Sequence, residues 1–146
     1  MTAKDLYERD FFEWAIQNAE LLRAGRLGEA DLEHIAEEIE DMGISQKKEL
    51  YSRLRILLVH LLKWKFQPEG RPGSTWRSTI RTQRAELDAL FDFAPSLRAT
   101  VAKNLQKAFP KAVNDATDET GVPKGTFPDT CPFSADQVLD EEFFPE

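Results

Sequence analysis

Four polar side chains on one predicted helix have the spacing of a metal site: His34, Glu37, Glu38 and Asp41. Residues three, four and seven positions apart share one face of an α-helix. Imidazole and carboxylate groups bind zinc, manganese or iron when three or four of them converge. The same spacing is typical of a solvated acidic face, however, and we expect this simpler role, with no metal and no other cofactor bound.

A histidine at position 60 is the second candidate for chemistry. It lies inside the stretch 50–76, in which the apolar side chains from Ile56 to Leu62 point in nearly every direction around a helix, so that this helix should be surrounded by others. If His60 faces Glu37 and Glu38, the three form a candidate catalytic cluster of a metal-dependent hydrolase or nuclease. The alternative is a buried histidine that is hydrogen-bonded to a neighbour, and the sequence favours it because buried polar groups are usually satisfied in this way.

Aromatic and basic residues alternate after this histidine. Trp64, Phe66 and Trp76 are interleaved with lysines and arginines, a composition found on surfaces that stack bases and contact phosphates. The candidate anion-binding residues are Lys63, Lys65, Arg77, Arg81 and Arg84. We expect instead that the indoles pack beneath the C-terminal segment and that arginines stack on them, because large aromatic side chains are mostly buried.

Charge is segregated along the chain, although the net charge is only −7. Residues 1–44 carry 4 basic and 12 acidic side chains, residues 45–84 carry 10 and 2, and residues 85–146 carry 5 and 12. The basic middle could attract an anionic partner such as nucleic acid. Antiparallel packing of the acidic segment 29–41 against the basic helix would neutralise it instead, and we expect this because consecutive helices are usually neighbours.

Local signals predict an all-α, single-domain bundle of five or six helices over residues 1–146. Asp10 followed by Glu13 starts a helix, and a second helix with Leu32, Ile35, Ala36, Ile39 and Met42 on one side ends near Gly43. Ser45 then caps a central helix that runs to about Phe66, and later helices begin near Ser74 or Thr75, at Pro95 and at Ala135. Residues 1–121 are the predicted helical core. Residues 122–146 are a strap with a short helix packed on that core.

Several classes of protein are disfavoured by composition and by missing motifs. The single cysteine, Cys131, has no partner for a bridge within the chain and no neighbouring base to activate it. Arg53, Arg55, His60 and Lys63 interrupt the best candidate for a membrane span. Gly-rich phosphate loops, serine elbows and zinc-finger spacings do not occur. We therefore expect a cytoplasmic protein that does not enter a membrane.

A series of motifs in order resembles one known family. They are YERDFFEWA at 7–15, AELLRAGR at 19–26, DLEHIAEEIEDMG at 31–43, HLLKWKFQP at 60–68, STW at 74–76, RTQR at 81–84, PSL at 95–97, TG at 120–121 and FPDTCPF at 127–133. Together they resemble the bacterial domain-of-unknown-function family numbered 29. The resemblance implies an all-helical, single-domain bacterial protein, and it carries no catalytic residue, cofactor or substrate.

Function is therefore predicted by elimination. The sequence favours a non-enzymatic interaction or adaptor protein with an unidentified protein partner. A metal-dependent hydrolase or nuclease using His60 with Glu37 and Glu38 is one alternative, and a nucleic-acid-binding module using residues 45–84 is another.

Overall fold

The computed structural model describes residues 2–146, and in that range it contains six α-helices and no strand. The helices are α1 (Ala3–Arg9), α2 (Phe11–Arg23), α3 (Leu32–Phe66), α4 (Trp76–Phe93), α5 (Val101–Thr120) and α6 (Ala135–Leu139). Short 3₁₀ helices occupy Pro68–Gly70, Pro95–Thr100 and Lys124–Thr126. The predicted all-α fold is confirmed. No helix within residues 2–146 is both long enough and apolar enough to cross a membrane.

Two compact units make up the chain, an N-terminal unit (Met1–Ser45) and a C-terminal unit (Gln46–Glu146). In the N-terminal unit, Asp10 caps α2 as predicted, accepting a hydrogen bond from the backbone N–H of Glu13 at 3.0 Å. Gly25 follows the end of α2 with a φ of 72°, a conformation that glycine adopts without steric cost. Helix α1 was not predicted, although Thr2 and Asp5 form a capping box at its start.

The prediction of separate helices before and after Gly43 is wrong, because α3 runs through this glycine without interruption. A single glycine costs a helix interior only about 1 kcal/mol relative to alanine. Good helix formers on both sides outweigh that cost, and Ser45 lies within the helix rather than capping one. The predicted antiparallel pairing of the acidic segment with the basic helix is also wrong, because no turn separates them.

The second half of α3 lies at the centre of the C-terminal unit, as predicted. Its side chains Leu50, Leu54, Leu57, Leu58, Leu61 and Leu62 have no exposed surface. They pack with apolar residues of α4 and α5, including Ile80, Leu87, Leu105 and Phe109. Complete burial of a leucine side chain contributes roughly 2 kcal/mol, so this cluster is the main source of stability for the unit.

The C-terminal segment also contributes to this core. Phe127, Phe133 and Val138 are buried in the same apolar cluster. Helix α6 begins with the predicted capping box, in which Ser134 and Gln137 exchange side-chain and backbone hydrogen bonds at 3.1 and 3.0 Å. Residues 122–146 are thus anchored on the helices by apolar burial and by a local cap.

Candidate functional sites

A buried carboxylate organises the N-terminal unit. Asp31 is 6% exposed, and its Oδ2 accepts hydrogen bonds from Trp14 Nε1 at 3.0 Å and from His34 Nδ1 at 2.6 Å. The backbone N–H of Asp31 donates to Asn18 Oδ1 at 2.8 Å. Burial acts to raise the pKa of Asp31, but the hydrogen bonds from His34 and Trp14 outweigh it and hold the pKa below its usual range. The carboxylate is therefore ionised at neutral pH and joins α2 to the start of α3.

The predicted metal ligands of α3 are divided between this network and solvent. His34 stacks on Tyr7 with ring centroids 3.8 Å apart. The Tyr7 hydroxyl donates a short hydrogen bond to Glu38, which raises the pKa of Tyr7 to about 12. Glu37 and Asp41 are exposed. Among residues 2–146, no group of three or more histidine, cysteine, aspartate or glutamate side chains is arranged to hold a metal ion.

An apolar stripe on the first half of α3 is exposed to solvent. It consists of Leu32, Ile39 and Met42, which are 50%, 59% and 62% exposed, and of Ile35, which is half-buried. Spacings of three and four residues place these side chains along one line of the helix, as in a coiled-coil seam. The sequence predicted correctly that these apolar side chains share one side of the helix.

The catalytic candidate His60 lines a groove of about 490 Å³ in the C-terminal unit, with Tyr51, Arg55, Asp115, Asp118 and Glu119. Its Nδ1 lies 2.8 Å from the carbonyl oxygen of Ile56 and donates to it, which leaves Nε2 as an acceptor. Both oxygens of Asp115 accept from Arg55, at 2.6 and 2.9 Å, and Glu119 pairs with Lys63 at 3.3 Å. The groove therefore offers a neutral imidazole beside two carboxylates that are already paired, Asp115 and Glu119, and one exposed carboxylate, Asp118. Glu37 and Glu38 belong to the other unit.

Acidification should destabilise the protein partly through His60. Burial lowers the pKa of His60, and the charge of Lys63 lowers it further. The hydrogen bond to Ile56 and the charge of Glu119 oppose this shift but do not reverse it. Because folding lowers the pKa of this histidine, the unfolded chain takes up the proton more readily than the folded one. The folded state is therefore favoured fully above the unfolded pKa of about 6.5 and less as the pH falls below it. Between about pH 7 and pH 5, urea midpoints should fall, and they should fall less steeply for His60→Gln. The pH dependence of the unfolding free energy should differ between the two proteins by no more than the uptake of one proton allows. If the urea midpoints of both proteins fell equally with pH, His60 would not contribute to the acid sensitivity.

Three of the five predicted anion-binding residues come together on α4. Arg77, Arg81 and Arg84 line a cavity of about 360 Å³ together with Glu141, Glu142 and Phe144 of the C-terminal segment. We call this cavity the arginine cleft. Arg84 is 2% exposed, and its Nε donates to the carbonyl oxygen of Val138 at 2.8 Å while Nη2 donates to that of Gln137 at 3.3 Å. These carbonyls belong to the last turn of α6, so Arg84 caps that helix.

The third nitrogen of Arg84 has a different environment. Nη1 is buried and has no hydrogen-bond partner among residues 2–146. Burial lowers the pKa of Arg84 from the ordinary arginine value, and the charges of Asp140 and Glu141 oppose that shift. A buried donor that lacks an acceptor costs about 1–3 kcal/mol. One of the cationic residues that line the cleft therefore keeps a buried donor without a partner among residues 2–146.

The other two predicted anion ligands, Lys63 and Lys65, do not line the cleft. Lys63 is 7% exposed and pairs with Glu119, and Lys65 lies over the ring of Phe66. The expected packing of the tryptophans is confirmed for Trp64, whose ring lies 5.1 Å from that of Phe144 and carries the guanidinium of Arg71 at 4.9 Å.

Cys131 is half-buried, and its Sγ donates to the carbonyl oxygen of Phe133 at 3.4 Å. Burial raises the pKa of this thiol, which is the reverse of what a nucleophilic cysteine requires.

Sequence reasoning did not identify the residues that complete these sites. Phe144 and Glu141 of the arginine cleft, and Asp115 and Glu119 of the His60 groove, lie far along the chain from the residues they accompany. The apolar character of 143–144 predicted that the tail docks, but gave no signal for where.

Comparison with known proteins gives a family without an assigned activity. No curated protein and no solved structure matches the chain. A family model described as domain of unknown function DUF29 matches residues 6–144. Because this match spans nearly the whole sequence, the resemblance noted from the motifs is confirmed, and the chain belongs to the DUF29 family.

Proposed function

We propose that this protein is an interaction module whose N-terminal unit binds an amphipathic helix of a partner protein along the apolar stripe of α3. The observation that carries the proposal is the exposure of Leu32, Ile39 and Met42 at coiled-coil spacing. Isolated exposed apolar residues are ordinary on protein surfaces, whereas a continuous line of them indicates a binding surface. An amphipathic helix in a groove or along a seam is a common mode of peptide recognition.

The charge of the surrounding surface defines the partner. Between residues 32 and 43, Ala36 and Gly43 are exposed beside the stripe, and the remaining exposed positions are Glu33, Glu37, Glu40 and Asp41. No lysine or arginine occurs from residue 27 to residue 46. A partner helix with apolar residues at heptad spacing and with lysine or arginine beside them complements this surface.

A second copy of the same chain is a poorer occupant. Pairing two stripes would bring together two N-terminal segments that each carry 12 acidic and 4 basic side chains. Like charges across an interface oppose association. Nucleic acid is disfavoured at this surface for the same reason.

Binding of a designed peptide tests the proposal. The probe is a labelled three-heptad peptide with leucine or isoleucine at the seam positions and lysine beside them, and the matched probe carries glutamate in place of each lysine. We expect saturable binding of the lysine peptide in fluorescence anisotropy, weakening as salt screens the charges. The glutamate peptide should bind at least tenfold more weakly.

Variants of the stripe locate the binding surface. The double variant Ile39→Gln and Met42→Gln should weaken binding at least tenfold, about 1.4 kcal/mol, and should keep its helical circular dichroism because both side chains are exposed. Phe93→Gln is the control, since Phe93 is 76% exposed but lies in the C-terminal unit. Equal binding of both peptides, unchanged binding by the double variant, or a dimer in sedimentation that the double variant dissociates would each overturn the proposal.

A further inference from the structure

The arginine cleft brings together three arginine side chains that form no direct ion pair with any described residue, although Glu141 and Glu142 line the same cavity. Arg77, Arg81 and Arg84 occur at spacings of four and three residues, which places them on one face of α4. None of the three forms an ion pair among residues 2–146. By contrast, Arg53 and Arg55 of the same unit pair with Glu49 and Asp115 at 2.9 and 2.6 Å.

Packing within the cleft holds two of the guanidinium groups close to one ring. The guanidinium carbons of Arg77 and Arg84 lie 4.5 and 5.5 Å from the centroid of Phe144. Phe144 in turn packs on Trp64, with centroids 5.1 Å apart. Two cations ordered against the same ring repel each other, and an anion between them would relieve that repulsion.

The buried Nη1 of Arg84 is a second and independent indication of a ligand. Nε and Nη2 of this arginine are satisfied by backbone carbonyls, whereas Nη1 has no partner among the described residues and the side chain lines the cavity. Buried donors in folded proteins are nearly always satisfied by protein, water or ligand. Arg84 therefore combines a structural role toward α6 with one buried donor that no described residue satisfies, on a side chain that lines the cleft.

From this geometry we infer that the arginine cleft binds the phosphate group of a small molecule, either free phosphate or a phosphate monoester. Guanidinium groups match the oxygens of phosphate through paired hydrogen bonds, which the side chains of Arg77 and Arg81 can form, and Arg84 adds its charge and a single donor. Glu141 and Glu142 line the same cavity of about 360 Å³. Their charges repel an extended polyanion that must pass over them, so a compact ligand is favoured over nucleic acid.

Titration of the full chain with inorganic phosphate and, separately, with glycerol phosphate, both at constant ionic strength, tests the inference and distinguishes free phosphate from a phosphate monoester. We expect saturable binding by calorimetry, a rise in the melting temperature and a change in tryptophan fluorescence, because Trp64 contacts Phe144. Succinate at equal ionic strength should bind at least tenfold more weakly, and a short single-stranded oligonucleotide should not compete with phosphate.

Arg77→Gln and Arg81→Gln should each weaken phosphate binding at least tenfold. Both residues are exposed, and neither side chain donates a hydrogen bond within residues 2–146, so both variants should fold. Arg98→Gln is the matched control, since Arg98 stacks on Phe91 at 4.7 Å outside the cleft. Absence of saturable phosphate binding, binding unchanged in both cleft variants, or an oligonucleotide that binds more tightly than phosphate through the same arginines would overturn the inference.

Discussion

Replacing Asp31 with alanine should unfold the N-terminal unit while helix α5 of the C-terminal unit remains protected. The substitution leaves the indole N–H of Trp14 and the imidazole of His34 without their acceptor in a buried position. It also removes the side chain whose Oδ1 accepts from the backbone N–H of His34 at 3.4 Å, at the start of α3. A buried unsatisfied donor costs about 1–3 kcal/mol and a lost helix cap about 1 kcal/mol, so we expect a loss of roughly 3 kcal/mol or more.

Hydrogen exchange of the full chain, followed by mass spectrometry, measures this loss locally. Peptides from residues 3–23 should lose protection in Asp31→Ala, and peptides from residues 101–120 should keep it. Glu33→Ala is the control, because the side chain of Glu33 is 78% exposed and its pairing with Lys4 at 3.5 Å contributes little. Asp31→Asn keeps an acceptor and should have an intermediate effect. Unchanged exchange in Asp31→Ala, or an equal effect of Glu33→Ala, would refute the structural role of this carboxylate.

Features determined by neighbouring residues could be predicted from the sequence. The cap at Asp10 and the capping box of Ser134 and Gln137 each depend on groups three residues apart, and both form as predicted. The burial of most apolar side chains of α3 between residues 54 and 62 follows from its composition, although Ile56 is exposed. The break predicted at Gly43 was wrong because one glycine costs a helix only about 1 kcal/mol. The hydrogen bonds and packing of a long helix on both sides of it outweigh that cost.

The sites could be predicted only as far as a single helix defines them. The spacing of Arg77, Arg81 and Arg84 placed three candidate anion ligands on one face of α4, and the structure brings them together. Phe144, which orders two of them, reaches the cleft only because the tail folds back on the core, and no local pattern specifies that contact. The same limit applies to His60, whose partners were sought on the acidic segment and instead come from α5.

Replacing Leu57 with alanine should cost the C-terminal unit about 3 kcal/mol, within the range of 2–5 kcal/mol seen when a large core side chain is truncated. Leu57 has no exposed surface and lies among the core residues of α3, α4 and α5. The loss combines the burial energy of the missing atoms with the cavity that they leave, since close-packed neighbours relax only in part.

The adjacent residue provides the control for this prediction. Ile56 is 39% exposed on the same turn of α3, so Ile56→Ala changes a side chain of similar volume at the edge of the core and should cost less than about 1.5 kcal/mol. Urea unfolding, followed by circular dichroism and tryptophan fluorescence, gives both values. A much larger loss of unfolding free energy in Leu57→Ala than in Ile56→Ala requires that helices enclose Leu57 and not Ile56. Equal losses in the two variants would mean that this part of α3 is not oriented in the core as described.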